Sequence, residues 1–178
     1  MNYAEQYGEM HKNHKLFAGY SIRPYVGKIA ELVRHYRPQR MLDYGCGKGY
    51  QYLDARVHDQ WGGLLPHCYD PGVQWLSSRP EGLFDGIICT DVLEHIEVAD
   101  LDGVLSDIRG LANTNRPEGS FAFFMVSCRP SRKLLPDGRG VHVTVRPPEW
   151  WDGIFEKYRA PWFSITAMYE NDLADRAP

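Results

Sequence analysis

The sequence predicts an α/β protein built on a mainly parallel sheet. Short apolar runs bounded by Gly, Pro and Asp alternate with stretches of helical periodicity, the signature of strands joined by helical crossovers. One run, MLDYGCGKGYQYL at 41–53, passes from strand through glycines into helix. The length, 178 residues, suits a single core, and 43% hydrophobic with 24% charged residues is ordinary for a globular chain.

Residues 1–20 mix Tyr3, Tyr7, Phe17 and Tyr20 with charges and read as an N-terminal arm or lid, with 21–178 as one domain. Ser21 suits a helix cap and Pro24 a first turn; Ile22, Val26, Ile29, Val33 and Tyr36 then recur at helical spacing until Pro38. Arg40–Tyr44 reads as a buried strand, Lys48–Val57 as a helix, and Leu64–Tyr69 as a strand ending at the Asp70-Pro71-Gly72 turn. Phe84–Thr90 is a buried strand. Leu101, Val104, Leu105, Ile108 and Leu111 mark a helix, and Ser120–Ser127 (SFAFFMVS) is the strongest strand. A basic connection at 128–146 follows, with a short strand expected at Val141–Val145. Pro147-Pro148 opens a helix carrying Trp151, Ile154, Phe155 and Tyr158, and Trp162–Tyr169 alternates as a strand.

Charge and cysteine usage narrow the function. Twenty Lys and Arg against 23 Asp and Glu leave a net charge of −3, which argues against non-specific nucleic-acid binding. The longest wholly apolar run, Phe121–Val126, is too short to cross a membrane, and the first residues lack a secretory pattern. Cys46, Cys68, Cys89 and Cys128 form no C-x-x-C pair, so a zinc ribbon or thioredoxin-type site is excluded and a reducing cytoplasm is expected.

Gly45, Gly47 and Gly49 form a G-x-G-x-G turn at the strand's carboxyl end, where open α/β sheets bind ligands and bare backbone lets a ligand approach. Asp70 ends the next strand just over 20 residues on, where an acid accepts hydrogen bonds from a ribose diol. The third glycine comes one residue too early for a dinucleotide fingerprint, and no G-x-x-x-x-G-K-[ST] is present. Asp43 beside the loop suits a ligand with a cationic amino group better than a pyrophosphate.

At LDYGCGKGYQYL, CYDPGV and FDGIICTDVLEHI the chain resembles the class I S-adenosylmethionine-dependent methyltransferases of small-molecule and quinone type, over about residues 21–169. The resemblance implies a Rossmann-like three-layer sandwich and methyl transfer from S-adenosylmethionine, leaving S-adenosylhomocysteine. It implies that Asp43 and Gly45 lie by the methionine part of the cofactor. Gly47 lets backbone approach it, Asp70 takes the ribose, and Asp91 lies near the methionine end or the substrate. Only 13 residues separate Asp70 from Phe84, where the family fits a helix and a strand, and the C-terminal part is short. A sheet of five or six strands is therefore expected, shortened at the third-strand edge and the C-terminus.

Glu94 and His95 are expected to cap and orient the next helix. His11 and His14 are expected at the surface and no metal is expected, while Cys46 serves as a small residue in a tight turn. TDVLEH lacks the Asn/Asp-Pro-Pro-Tyr element of DNA amino-methyltransferases, so DNA is not an expected partner. Arg129, Arg132, Lys133, Arg139 and Arg146, opposed by Asp137, make a local positive field after the Ser120–Ser127 strand. Arg129, Arg132 and Arg146 are the expected contacts to an anionic acceptor, small or carrier-bound, methylated on O or N. His142 in that loop is the expected general base, since a histidine titrates near neutrality. One of the adjacent Trp150 and Trp151 must point away from the core. The alternatives are a catalytically silent S-adenosylmethionine-binding subunit that stabilises a partner enzyme and an RNA methyltransferase, the latter disfavoured by the acidic balance.

Overall fold

The computed structural model describes residues 3–13 and 16–170. Five strands, β1 (Met41–Tyr44), β2 (His67–Tyr69), β3 (Gly86–Thr90), β4 (Ser120–Ser127) and β5 (Phe163–Glu170), form one sheet in the order β2-β1-β3-β4-β5. Every pairing is parallel, with Leu42 opposite His67, Met41 opposite Gly86, Gly86 opposite Phe121 and Ser120 opposite Phe163. The helices are α1 (Tyr3–His11), α2 (Val26–Tyr36), α3 (Tyr50–Leu53), α4 (Val98–Gly110) and α5 (Pro148–Phe155). The result is a Rossmann-like α/β sandwich.

The period-two geometry of the strands divides the core into two layers. In β4, Ala122, Phe124 and Val126 face α4 and α5, packing with Leu105, Ile108, Trp151 and Phe155. The intervening Phe121, Phe123 and Met125 face α2 and the Val57–Trp61 turn, packing with Ile29 and Trp61. Ile87 and Ile88 of β3 divide in the same way. Phe124 stacks on Phe155 with centroids 4.7 Å apart, tying the sheet to α5.

The expected trimming is present. Between β2 and β3 there is a turn and a short 3₁₀ segment, Gln74–Leu76, so β2 is an edge strand. The sheet has five strands, and none pairs outside β5 among the described residues. Two expected elements differ. The helix at Lys48–Val57 is reduced to the single turn of α3 followed by a 3₁₀ turn at Val57–Trp61, because the chain breaks at Arg56, which has a left-handed φ of 45°. The strand at Val141–Val145 does not form. Its backbone bonds to other partners, with the Val141 N–H donated to Lys133 and the Thr144 N–H to Glu94. Helix α2 ends where Pro38 requires, through a left-handed Arg37 whose N–H caps Val33. No helix of the described residues is long and apolar enough to cross a membrane.

Candidate functional site

The carboxyl ends of β1, β2 and β3 open onto a cavity of about 560 Å³. Gly45 and Gly47 follow β1, Asp70 follows β2, and Thr90 and Asp91 close β3, and all five line it. Crossover loops leave this edge of the sheet open, which is why α/β folds place ligands there.

The glycine loop is shaped by its neighbours. Gly45, Gly47 and Gly49 all have positive φ, at 81°, 58° and 67°. A side chain at Gly45 would collide with Val92, and a Cβ at Gly47 would lie 2.5 Å from the Phe17 carbonyl oxygen. Asp70 braces the loop: one carboxylate oxygen accepts from the Gly47 N–H at 2.8 Å and the other from the Gly72 N–H at 2.9 Å. Cys46 is buried in the turn, the expected place for a small residue.

The N-terminal arm forms the opposite wall. The N–H groups of Lys48, Tyr50 and Gln51 donate to the carbonyls of Phe17, Ala18 and Gly19. The Lys48 ammonium donates to the Asn13 and Leu16 carbonyls. Backbone donors that would otherwise be free to bind a phosphate are thus taken by the arm. Tyr7 and His11 both stack on Phe17, at 4.9 and 4.6 Å between centroids, and all three line the cavity. His11 is therefore not a surface residue. It is buried, its Nε2 3.9 Å from Asp70, and burial holds its pKa below the usual histidine value against the pull of that carboxylate. His14 lies outside the described residues.

Asp43 is not on the cavity wall. It is buried beneath the loop, where one oxygen accepts from the Tyr52 hydroxyl at 2.7 Å and from the Gln51 amide at 3.1 Å, while the other has no partner. Burial is the main cause that lifts its pKa from 3.8 to about 7. A carboxyl whose folded pKa is raised contributes stability below its unfolded pKa and loses it as pH rises through the folded value. The free-energy difference between wild type and Asp43→Asn should therefore shift against wild type between pH 4 and pH 8. Urea unfolding at both values measures this, and a pH-independent difference would show that the carboxyl is ionised throughout.

Asp91 has a left-handed φ of 60°, which turns its carboxylate toward the cavity mouth, where the Ser21 hydroxyl donates to it at 3.3 Å. The turn at Leu93–His95 brings His95 over Asp91. His95 does not cap α4: its Nδ1 bonds the Val141 carbonyl at 2.9 Å and its ring lines the cavity. Glu94 does not cap it either. Fully buried, it accepts from the Ser127 N–H at 2.7 Å. Burial and the Asp91 charge push the Glu94 carboxyl well above the usual range. Burial likewise pushes His95 down to about 4, although the Asp91 carboxylate opposes it.

His142 stands beside this group. Its Nδ1 bonds the Arg129 carbonyl at 2.8 Å, and its ring packs edge-on against His95 with centroids 4.7 Å apart. It does not itself line the cavity. The arginines expected to reach a substrate point elsewhere. Arg129 pairs with Glu170 at 2.5 Å, Arg146 lies over the Trp150 ring, and Arg132 is exposed. From the basic loop it is Lys133 that reaches the cavity wall. Trp151 is in the core and Trp150 is the half-buried ring of the pair.

Fold and cleft together define a Rossmann-like α/β protein with a ligand-sized cavity at the carboxyl edge of its sheet. No protein-family model, no curated protein and no solved structure matches the chain.

Proposed function

We propose that the protein transfers the methyl group of S-adenosylmethionine to an oxygen or nitrogen of a small acceptor. The observation that carries this reading is the convergence of Gly45, Gly47, Asp70 and Asp91, from three strand ends, on one cavity of nucleoside size. Two features support it. The arm takes the loop's backbone donors, which disfavours a phosphate ligand. Asp70, Asp91, Glu97 and Asp100 give the wall an acidic character suited to a sulfonium and an ammonium.

Gly45, Gly47, Asp70 and Asp91 would hold S-adenosylmethionine, which would supply a methyl group activated by its sulfonium and would leave as S-adenosylhomocysteine. The donor is already activated, so the protein contributes orientation and exclusion of water. A proton on the acceptor would leave at the Asp91–His95 end of the cavity, with His142 packed against His95 behind it, and an anionic group on it would meet Lys133.

Calorimetry with S-adenosylhomocysteine tests the cofactor. Wild type should bind, and Asp70→Ala should bind about 1.5–3 kcal/mol more weakly, the loss expected for charge-assisted hydrogen bonds. An unchanged dissociation constant would place the ribose elsewhere. Turnover on a panel of acids, phenols and amines tests the enzyme. Binding without turnover on any of them would favour a silent cofactor-binding subunit.

A further inference from the structure

We infer that Asp91, His95 and His142 form a binding site for a divalent first-row transition cation, open toward the cavity. One ligand atom from each lies within 4.8 Å of the other two. Ligands sharing a cation with bonds of about 2.1 Å sit roughly 3–3.5 Å apart, so small side-chain rotations close the set.

Three features argue for a built site over a chance cluster. Both imidazoles are oriented by the backbone: His95 Nδ1 bonds the Val141 carbonyl at 2.9 Å and His142 Nδ1 bonds the Arg129 carbonyl at 2.8 Å. A carbonyl accepts from N–H, so each ring keeps its proton on Nδ1 and presents a lone pair on Nε2, the tautomer a metal-ligating histidine needs. Asp91 supplies an anionic oxygen, aimed there by its left-handed backbone. Behind it the fully buried Glu94 carboxyl has one oxygen on the Ser127 N–H and the other with no hydrogen bond of good geometry.

The donor chemistry selects the ion. Two imidazoles and one carboxylate suit Fe²⁺, Co²⁺ or Zn²⁺ better than Mg²⁺ or Ca²⁺, which favour all-oxygen shells. Three protein ligands leave positions for a water or a substrate oxygen. Asp91 and His95 line the cavity, so those positions face the ligand space. Lys133 is the cation on the same wall. It is exposed, and its ammonium lies over the Phe17 ring, 5.2 Å from the centroid. The site rests on these donor atoms alone. Its use rests on the methyl-transfer reading: a cation here would hold the acceptor's oxygen and favour its deprotonated form, making His142 a ligand in place of a free base.

The test is titration of the chelator-treated, untagged full chain with CoCl₂, followed by calorimetry and by visible absorption. Wild type should take up one Co²⁺ per chain and develop a d–d band. Asp91→Asn and His142→Gln should each weaken binding at least tenfold and lose the band, with circular dichroism confirming the fold. Asn tolerates the left-handed backbone at 91, so that variant guards against a folding defect at 142. His67→Ala, at an exposed histidine of β2, should bind as wild type does. No saturable binding by wild type would overturn the site, as would wild-type affinity in both Asp91→Asn and His142→Gln, or loss of binding in His67→Ala alone. S-adenosylhomocysteine binding with and without Co²⁺ is read separately. Its absence would sink the methyl-transfer reading and leave the metal site standing.

Discussion

His142→Ala should lower turnover by roughly 10²–10⁴ while leaving S-adenosylhomocysteine affinity within a few-fold of wild type. The side chain stands behind His95 and off the cavity wall, so it touches nothing bound in the cavity directly. A residue that only supported the fold would lower stability and affinity together. Near-normal turnover would remove His142 from the chemistry, or show that the acceptor is a carboxylate that has no proton to lose. If Co²⁺ binding falls in the same variant, the rate loss follows from a lost ligand; if it does not, a proton acceptor has been removed.

Gly47→Val should abolish measurable cofactor binding, a loss of at least roughly tenfold, or about 1.4 kcal/mol. The backbone at Gly47 is left-handed, and a Cβ would lie 2.5 Å from the Phe17 carbonyl and 3.0 Å from the Gly19 N–H. A β-branched residue is doubly excluded, by conformation and by space. The clash falls on the arm, so the arm should lift from the loop and the cavity should lose its aromatic wall. Gly27→Ala is the control: it is helical, and a Cβ there meets nothing within 4 Å. Equal affinity in wild type and Gly47→Val would sink the assignment of the loop.

What was readable in the sequence had a local cause. SFAFFMVS is apolar on both alternating sets, so it could only be a strand buried on two faces, and Ser120–Ser127 is that strand. The glycines, Asp70 and Asp91 were readable because strand ends fix where their neighbours point, and all reach the cavity except Gly49. The misses were long-range. His11 looked like a solvated residue because nothing nearby announces that the arm folds back to stack it on Phe17. The arginines of the basic loop are set by partners far along the chain, such as Glu170 for Arg129. Asp43 looked like a ligand contact, but it ends under the loop because Tyr52 and Gln51 of α3 hold it there. The pairing of His95 with His142 joins two separate loops. The Asp91/His95 spacing, one turn beyond a strand end, is the available signal for it, but the sequence assigns Asp91 to the cofactor and only Glu94 and His95 to helix capping.

The all-parallel ladder has a kinetic cost. Leu42 waits for His67, Met41 for Gly86, Gly86 for Phe121 and Ser120 for Phe163, so partners lie about 25 to 45 residues apart and no hairpin can nucleate the sheet. Assembly must close large loops before any pairing rewards it, which places this chain among the slower folders of its size. During that wait the Phe121–Val126 segment, uncharged and rich in aromatics, is open to neighbouring chains. Refolding yield should therefore fall steeply with protein concentration, as self-association competes with closure of the central strands.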